Sequence, residues 1–210
     1  MSNKKEIILD VDGVLLDYEK AFEDYFDLTP ISDTYRNFTD RFGIDDNQIL
    51  KMVNHFSLEK EFSMLEPFDG AIESLNSFKD KGYRISIISS CGDDPYVHEL
   101  RKTNLLNVFG DIFDKITLIG MRLCKAEFLK EYKNTKSIWI DDTFQHYKSG
   151  VKLGLDSIWR TTEYNKLDQK DFPKENIICD WKEISSYINN SLSENKSLKK
   201  SNSIKKGLTF

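Results

Sequence analysis

Apolar residues are concentrated in three short runs rich in β-branched side chains, at residues 6–11 (EIILDV), 83–89 (YRISIIS) and 137–141 (SIWID). Each run is bounded by Gly, Asp or Ser. Such short, nearly continuous apolar runs are typical of strands buried on both faces of a parallel sheet. Two weaker runs, at residues 156–159 and 176–179, predict further strands.

Helical periodicity fills the intervals between these runs. It is clearest at residues 71–79, 96–103, 126–132 and 144–152. Because strand and helix alternate, the pattern predicts an α/β fold, a Rossmann-like parallel sheet with helices on both faces.

The interval between the first two strong strands is about 70 residues, much longer than one crossover helix requires. Residues 17–66 therefore predict a small α-helical cap inserted into a catalytic core formed by residues 1–16 and 67–188. The insertion holds 12 acidic and 5 basic residues, a net charge of −7. It also holds nine aromatic residues, several at helical spacing. They indicate either a small helical core or a wall of rings over a substrate.

The last segment, residues 189–210, is rich in Ser, Asn and Lys, with five Lys against one Glu. It nearly lacks residues suited to a core. This composition predicts a disordered basic tail.

Charge and composition exclude several classes of protein. The 30 Lys and Arg against 35 Asp and Glu give a net charge of −5, which disfavours binding to a nucleic-acid polymer. No apolar run approaches the roughly 18 residues of a membrane span. Three separated cysteines without a CxxC pair disfavour a disulfide framework or structural zinc site, and predict a cytoplasmic protein. The sequence does not indicate an oligomeric state.

Candidate chemistry begins where the first strand ends. Asp10 and Asp12 flank Val11, so the period of two along a strand places both carboxylates on one side. Ligands of open α/β sheets bind at the carboxyl ends of strands. Two acids there repel one another unless a cation or a reaction uses them.

A second acid pair, Asp141 and Asp142, ends the run at residues 137–141. If both strands are central, four carboxylates meet, and such an oxygen-rich cluster suits Mg²⁺. The strand at residues 83–89 leads into Ser89 and Ser90, which offer hydroxyls and amides to an anion. Lys125 precedes a short helix, where its ammonium group could meet a phosphate.

These segments, taken in order, resemble the four motifs of the haloacid dehalogenase-like hydrolase superfamily. They are LDVDGVLLD at residues 9–17, a strand ending in Ser, a lone Lys before a helix, and WIDD at residues 139–142. The resemblance spans residues 5 to about 160. It implies phosphatase chemistry on a Rossmann-like fold with a helical cap. DVDGVLLDYE at residues 10–19, with a short aromatic cap, is also similar to the 5'(3')-deoxyribonucleotidases.

The resemblance implies a role for each of these residues. Asp10 would attack phosphorus and form an aspartyl-phosphate, and Asp12 would act as general acid and base. Mg²⁺ would be held by Asp10, the main-chain carbonyl of Asp12, and Asp142, with Asp141 as a further or outer ligand. Ser89, or Ser90 if the strand register shifts by one, would bind the phosphoryl oxygens together with Lys125.

Two positions depart from the family pattern. His146 stands where many members have an acid four residues after the Asp of the fourth motif, and Asp141 replaces the usual preceding Gly.

The expected activity is hydrolysis of a small phosphorylated metabolite, such as a nucleotide or sugar phosphate. A sugar-type phosphomutase with the same motifs, and a non-catalytic binding protein on this fold, are the alternatives.

Overall fold

The β-branched runs form one parallel sheet in a computed structural model that describes residues 6–32, 35, 37–162 and 177–190. The strands are β1 (Glu6–Leu9), β2 (Arg84–Ser90), β3 (Lys115–Ile119), β4 (Ile138–Asp141), β5 (Asp156–Arg160) and β6 (Ile177–Ile178). Their order is β3-β2-β1-β4-β5-β6, and every pairing is parallel. The prediction of an α/β Rossmann-like sheet is therefore confirmed.

The helices connect these strands. They are α1 (Tyr18–Phe26), α2 (Phe38–Phe42), α3 (Asp46–Phe56), α4 (Ala71–Asp80), α5 (Pro95–Phe109), α6 (Lys125–Leu129), α7 (Phe144–Lys152) and α8 (residues 181–190). Single 3₁₀ turns occupy Lys60–Ser63 and Lys130–Tyr132. Within the described part of the chain, no helix has both the length and the apolar character needed to cross a membrane.

Alternate residues of the central strands feed two separate cores. Ile7 and Leu9 of β1 belong to a large apolar cluster that also includes residues of α4, α5 and α8. Ile8, between them, packs instead in a smaller cluster with Leu129 and Trp139. Because both faces of the sheet are covered, its strands are apolar at nearly every position, which explains why the sequence marks them so clearly.

One strand is missing from the sequence prediction. β3 lies at the edge of the sheet, where its residues are mostly half-buried, and its five residues (KITLI) alternate rather than form an apolar run. An edge strand carries a weaker hydrophobic signal than a central one, because one of its sides has no neighbouring strand.

The helices α1 to α3 lie between β1 and α4. The ends of this segment meet, since Asp17 N donates to Glu66 O at 2.9 Å and Phe68 N donates to Leu15 O at 3.0 Å. The side chain of Asp17 caps α1 by accepting from Lys20 N. The division into a core and a cap at residues 17 and 66 stays a prediction.

Residues 191–210 of the predicted tail lie outside the described part of the chain, and residues 189 and 190 are helical.

Candidate active site

The carboxyl ends of β1 and β4 bring three carboxylates together. These strands pair directly, and Asp10 N continues the ladder by donating to Ile140 O at 3.0 Å. Carboxylate oxygens of Asp10, Asp141 and Asp142 lie within 4.8 Å of one another, and all three residues are buried. Three of the four acids that the sequence placed at these two strand ends therefore meet at one point, and the fourth, Asp12, lies outside this group.

Lys125 holds two of these carboxylates. Its Nζ lies 2.5 Å from Asp10 Oδ2 and 2.9 Å from Asp141 Oδ2, and its side chain is only 2% exposed. Although burial opposes it, the two carboxylates together raise the pKa of Lys125 above its ordinary value. The ammonium group therefore stays charged.

Asp141 has more polar contacts than its contact with Lys125 alone. It also accepts from Thr143 N at 2.7 Å, and its carboxylate lies 3.2 Å from His146 Nδ1. Burial would raise the pKa of Asp141, but Lys125 and His146 outweigh it and lower the value. His146 stands where many family members have an acid. Through its contact with Asp141, it lies next to the cluster of carboxylates.

The other two carboxylates of the cluster, Asp10 and Asp142, have raised pKa values. Burial, followed by repulsion from Asp141 and Asp10, raises the pKa of Asp142 well above its usual range. Burial also raises the pKa of Asp10 in spite of Lys125. Asp10 Oδ1 is buried and has no hydrogen-bond partner among the described residues. Clustered carboxylates with a free buried oxygen are a donor set that fits a divalent cation such as Mg²⁺.

Asp12 lies beside this cluster and pairs with a different basic side chain, that of Arg101. Arg101 Nη2 lies 2.7 Å from Asp12 Oδ1 and donates to Asp12 Oδ2 at 2.8 Å. Burial raises the pKa of Asp12 to about 6, because it outweighs the attraction of Arg101. A carboxyl group with this pKa can both give and accept a proton near neutral pH.

The two candidate serines at the end of β2 have different surroundings. The Ser89 hydroxyl is buried and lacks a hydrogen-bond partner within 3.5 Å among the described residues, although it is close enough to Asp10 to favour the ionised carboxylate. Ser90 is half-buried and lines the cavity above Asp10. The structure thus brings both serines to the site, one beside the nucleophile candidate and one in the cavity wall.

That cavity has a volume of about 390 Å³, within the range of small-molecule sites. Asp10, Asp12, Lys125 and Asp142 lie in its wall. The segment at residues 17–66 contributes a second part of the wall, with Tyr18, Glu19, Asn37, Phe38, Val53, Asn54, Ser57 and Phe62. The ends of the strands and the segments that follow them complete the wall with Gly13, Ser90, Cys91, Gly92, Met121, Thr143 and His146. The site therefore has a charged part formed by the sheet and a mixed apolar and amide part formed by the helices.

The aromatic residues of this segment serve mainly as a core. Phe22 packs against Phe26, Phe38 and Phe56 with ring centroids 4.9, 4.7 and 5.8 Å away. The ring of Phe38 also faces the cavity, as do two others of the nine, Tyr18 and Phe62. The interpretation as a helical core thus fits most of these rings, and a wall over a substrate stays a prediction for the three that face the cavity.

Two buried arginines at the site have no place in the sequence prediction. Arg101 contacts Asp12, and Arg160 Nη1 donates to the carbonyl oxygen of Gly13. A signal for Arg101 exists, because it interrupts an apolar helical stripe between Val97 and Leu105, four residues away on each side. A charged residue inside such a stripe indicates a buried ion pair.

The sequence model of the haloacid dehalogenase-like hydrolase family matches residues 29–160, more than half of the chain. The chain therefore belongs to this family, and the prediction of a hydrolase is confirmed. The matched range contains Ser89, Lys125 and the Asp141–Asp142 pair, and begins after the segment with Asp10 and Asp12. A search of curated proteins found no match.

Solved structures share the fold at low sequence identity. A haloacid dehalogenase-like family hydrolase from Streptococcus pneumoniae matches with a TM-score of 0.65 and 18% identity, over 90% of this chain and 100% of that chain. A "predicted phosphatase" from Clostridium acetobutylicum matches with a TM-score of 0.61 and 18% identity, over 89% and 99%. A D,D-heptose 1,7-bisphosphate phosphatase from B. bronchiseptica, solved with magnesium and phosphate, matches with a TM-score of 0.54 and 11% identity, over 89% and 99%.

Proposed function

We propose that this protein is a magnesium-dependent phosphatase that hydrolyses a small phosphate monoester through an aspartyl-phosphate on Asp10. The observation that carries the proposal is the position of Asp10 in the wall of the cavity, bound by Lys125 and grouped with the buried carboxylates of Asp141 and Asp142. A nucleophilic carboxylate and a cation-binding cluster at one point are the parts that phosphoryl transfer requires.

Each residue has a distinct task in this mechanism. Lys125 holds Asp10 Oδ2, so the carboxylate is fixed in one orientation before substrate arrives, and its Oδ1 has no competing hydrogen bond from the described residues. Attack of a carboxylate oxygen on phosphorus forms the aspartyl-phosphate and releases the leaving oxygen. Asp12 would donate a proton to that oxygen and then take one from the water that hydrolyses the intermediate.

The metal would be held by Asp10, Asp142 and the main-chain carbonyl of Asp12. When bound, it neutralises charge on the phosphoryl oxygens. Asp141 is better suited to an outer position, because Lys125, His146 and Thr143 N already surround its carboxylate. Ser90 and Lys125, which line the cavity, and Ser89 beside Asp10 would bind the phosphoryl oxygens.

The part of the cavity wall formed by residues 17–66, which we call the helical wall, favours a small substrate. A cavity of about 390 Å³ accommodates a compact metabolite, and the −7 charge of residues 17–66 would repel a polynucleotide. The rings of Tyr18, Phe38 and Phe62, with amides from Asn37 and Asn54, suit a leaving group that has both an apolar and a hydrogen-bonding part.

The test is phosphate release from a panel of nucleoside monophosphates, sugar phosphates and a generic aryl phosphate, with Mg²⁺ or with a chelator. We expect Mg²⁺-dependent release by the wild type, none by Asp10→Asn, and wild-type rates for Asp111→Asn, the same change at an exposed position. Acid quenching during turnover should trap a phosphorylated protein, with the phosphoryl group on Asp10. Release that persists in Asp10→Asn would refute the mechanism. Phosphoryl transfer between substrate positions without release would favour a mutase.

A further inference from the structure

The ion pair behind Asp12 has no part in the mechanism above. Arg101 of α5 is completely buried, and its Nη2 lies against both carboxylate oxygens of Asp12. Asp12 lines the cavity, whereas Arg101 does not. The guanidinium group therefore holds the acid from outside the cavity.

The rest of the guanidinium group is poorly satisfied. Its Nε and Nη1 are buried without a hydrogen-bond partner among the described residues. Its Cζ lies 4.0 Å from the centre of the Phe62 ring, so an aromatic face is the other main contact. A buried arginine with unused donors is a costly way to stabilise a core, since apolar residues of similar size often do as well or better.

We propose that Arg101 is a positioning residue, which fixes the carboxylate of Asp12 in the orientation needed to protonate the leaving oxygen. One nitrogen in contact with both oxygens restrains rotation of the carboxylate while leaving its cavity side accessible. Phe62, which follows α3 and also lines the cavity, keeps the guanidinium group in place. The helical wall and the acid are thereby joined through a single side chain. This inference rests on the proposed phosphatase activity.

The test compares two substrates that differ in how much they need the acid. The nitrophenolate of nitrophenyl phosphate leaves readily without a proton, whereas the strongly basic alkoxide of an alkyl phosphate needs one. The measured quantity is kcat/KM, because it reports the steps up to formation of the phosphoenzyme and excludes its later hydrolysis. A general acid contributes roughly 10²–10⁴-fold to such a step, so misorientation of Asp12 should remove part of that factor.

For Arg101→Met we expect a loss of roughly 10–100-fold on the alkyl phosphate and less than about 5-fold on the nitrophenyl phosphate. Arg101→Lys, which keeps a cation on a shorter side chain, should recover part of the loss. Asp12→Asn should show the same substrate dependence, and Asp12→Asn combined with Arg101→Met should lose little more, since both act through one group. Arg84→Met, at a half-exposed arginine of β2, is the matched control and should change neither value.

Equal losses on both substrates, or no loss, in a folded variant would overturn the role of Arg101. Thermal unfolding and circular dichroism establish which variants are folded. If Arg101→Met is not, Arg101→Lys decides, and it should show a smaller loss confined to the alkyl phosphate. A wild type inactive on both substrates would instead refute the proposed function itself.

Discussion

Replacing Lys125 by Met should destabilise the protein strongly, and the effect should depend on pH. Lys125 and its partners Asp10 and Asp141 are all at most 8% exposed, so the lost charge leaves two buried carboxylates unpaired. Breaking a buried ion pair from one side costs about 3–5 kcal/mol. For a chain of this length each kcal/mol lowers Tm by about 2–4 °C, so the expected shift is about 6–20 °C.

The matched control is Lys130→Met, five residues further along the chain. Lys130 also lies 2.5 Å from an acid, Glu127, but both side chains are more than half exposed. An exposed pair of this kind contributes at most about 1 kcal/mol. The contrast between the two substitutions therefore isolates burial, because the chemical change and the distance to an acid are the same.

The assay is urea unfolding at pH 7 and pH 5 without divalent cations. In Lys125→Met the pKa of Asp10, which burial already raises, should rise further because Lys125 no longer opposes it, so the native state takes up protons as the pH falls. Stability lost at pH 7 should then be partly regained at pH 5. Added Mg²⁺ should stabilise the variant at pH 7. A free-energy difference below about 1 kcal/mol at pH 7, or one that does not change with pH, would refute the account of Lys125 as the counter-ion of the cluster.

Three further outcomes are expected. Burial raises the pKa of Glu19 to about 8, so ionising this carboxyl costs stability as the pH rises above its unfolded value. Glu19→Gln should stabilise the protein on the order of 1–3 kcal/mol at pH 9 and have no effect near pH 4, by urea unfolding. Alkylation followed by mass spectrometry should modify exposed Cys124 readily and Cys91 slowly, because burial raises the pKa of Cys91 to about 12. Gly150→Ala should destabilise by about 1–3 kcal/mol in thermal unfolding, since a Cβ would lie 2.5 Å from the Trp139 ring.

Controls separate these effects from general damage. For Glu19→Gln, an equal change at both pH values would contradict the role of burial. For the cysteines, urea should make Cys91 react as fast as Cys124. Gly110→Ala has open space around its Cβ position, so any loss there measures backbone strain alone.

The sequence predicted the parts of the site that lie next to one another along the chain. Asp10 and Asp12 follow a strand whose apolar pattern is unmistakable, and the same holds for Asp141 and Asp142. Because the carboxyl ends of parallel strands lie at the same end of a sheet, both pairs are expected there without any knowledge of tertiary contacts. Lys125 has no such strand directly before it, and only its position before a predicted helix and its similarity to a family motif marked it.

The contacts that the sequence could not predict join distant segments. Arg101 meets Asp12 from 89 residues away, and Arg160 meets Gly13 from 147 residues away. Neither contact produces a periodic pattern in the sequence. Arg101 can at most be noticed as a charge on an apolar face, and which acid it meets depends on how α5 crosses the sheet. The wall formed by residues 17–66 is similar, because its aromatic spacing predicts helices but not which rings face the cavity.

The three tryptophans of the chain are all buried, and each donates its indole N–H to a main-chain oxygen near the site. Trp139 donates to His146 O, Trp159 to Asp142 O and Trp181 to Val14 O, at 3.1, 2.8 and 3.0 Å. Those oxygens belong to the segments that follow β1 and β4, which also carry the acids. Intrinsic fluorescence of this protein should therefore report on the loops of the candidate site without a label, so the proposed binding of Mg²⁺ or phosphate can be tested by an optical titration.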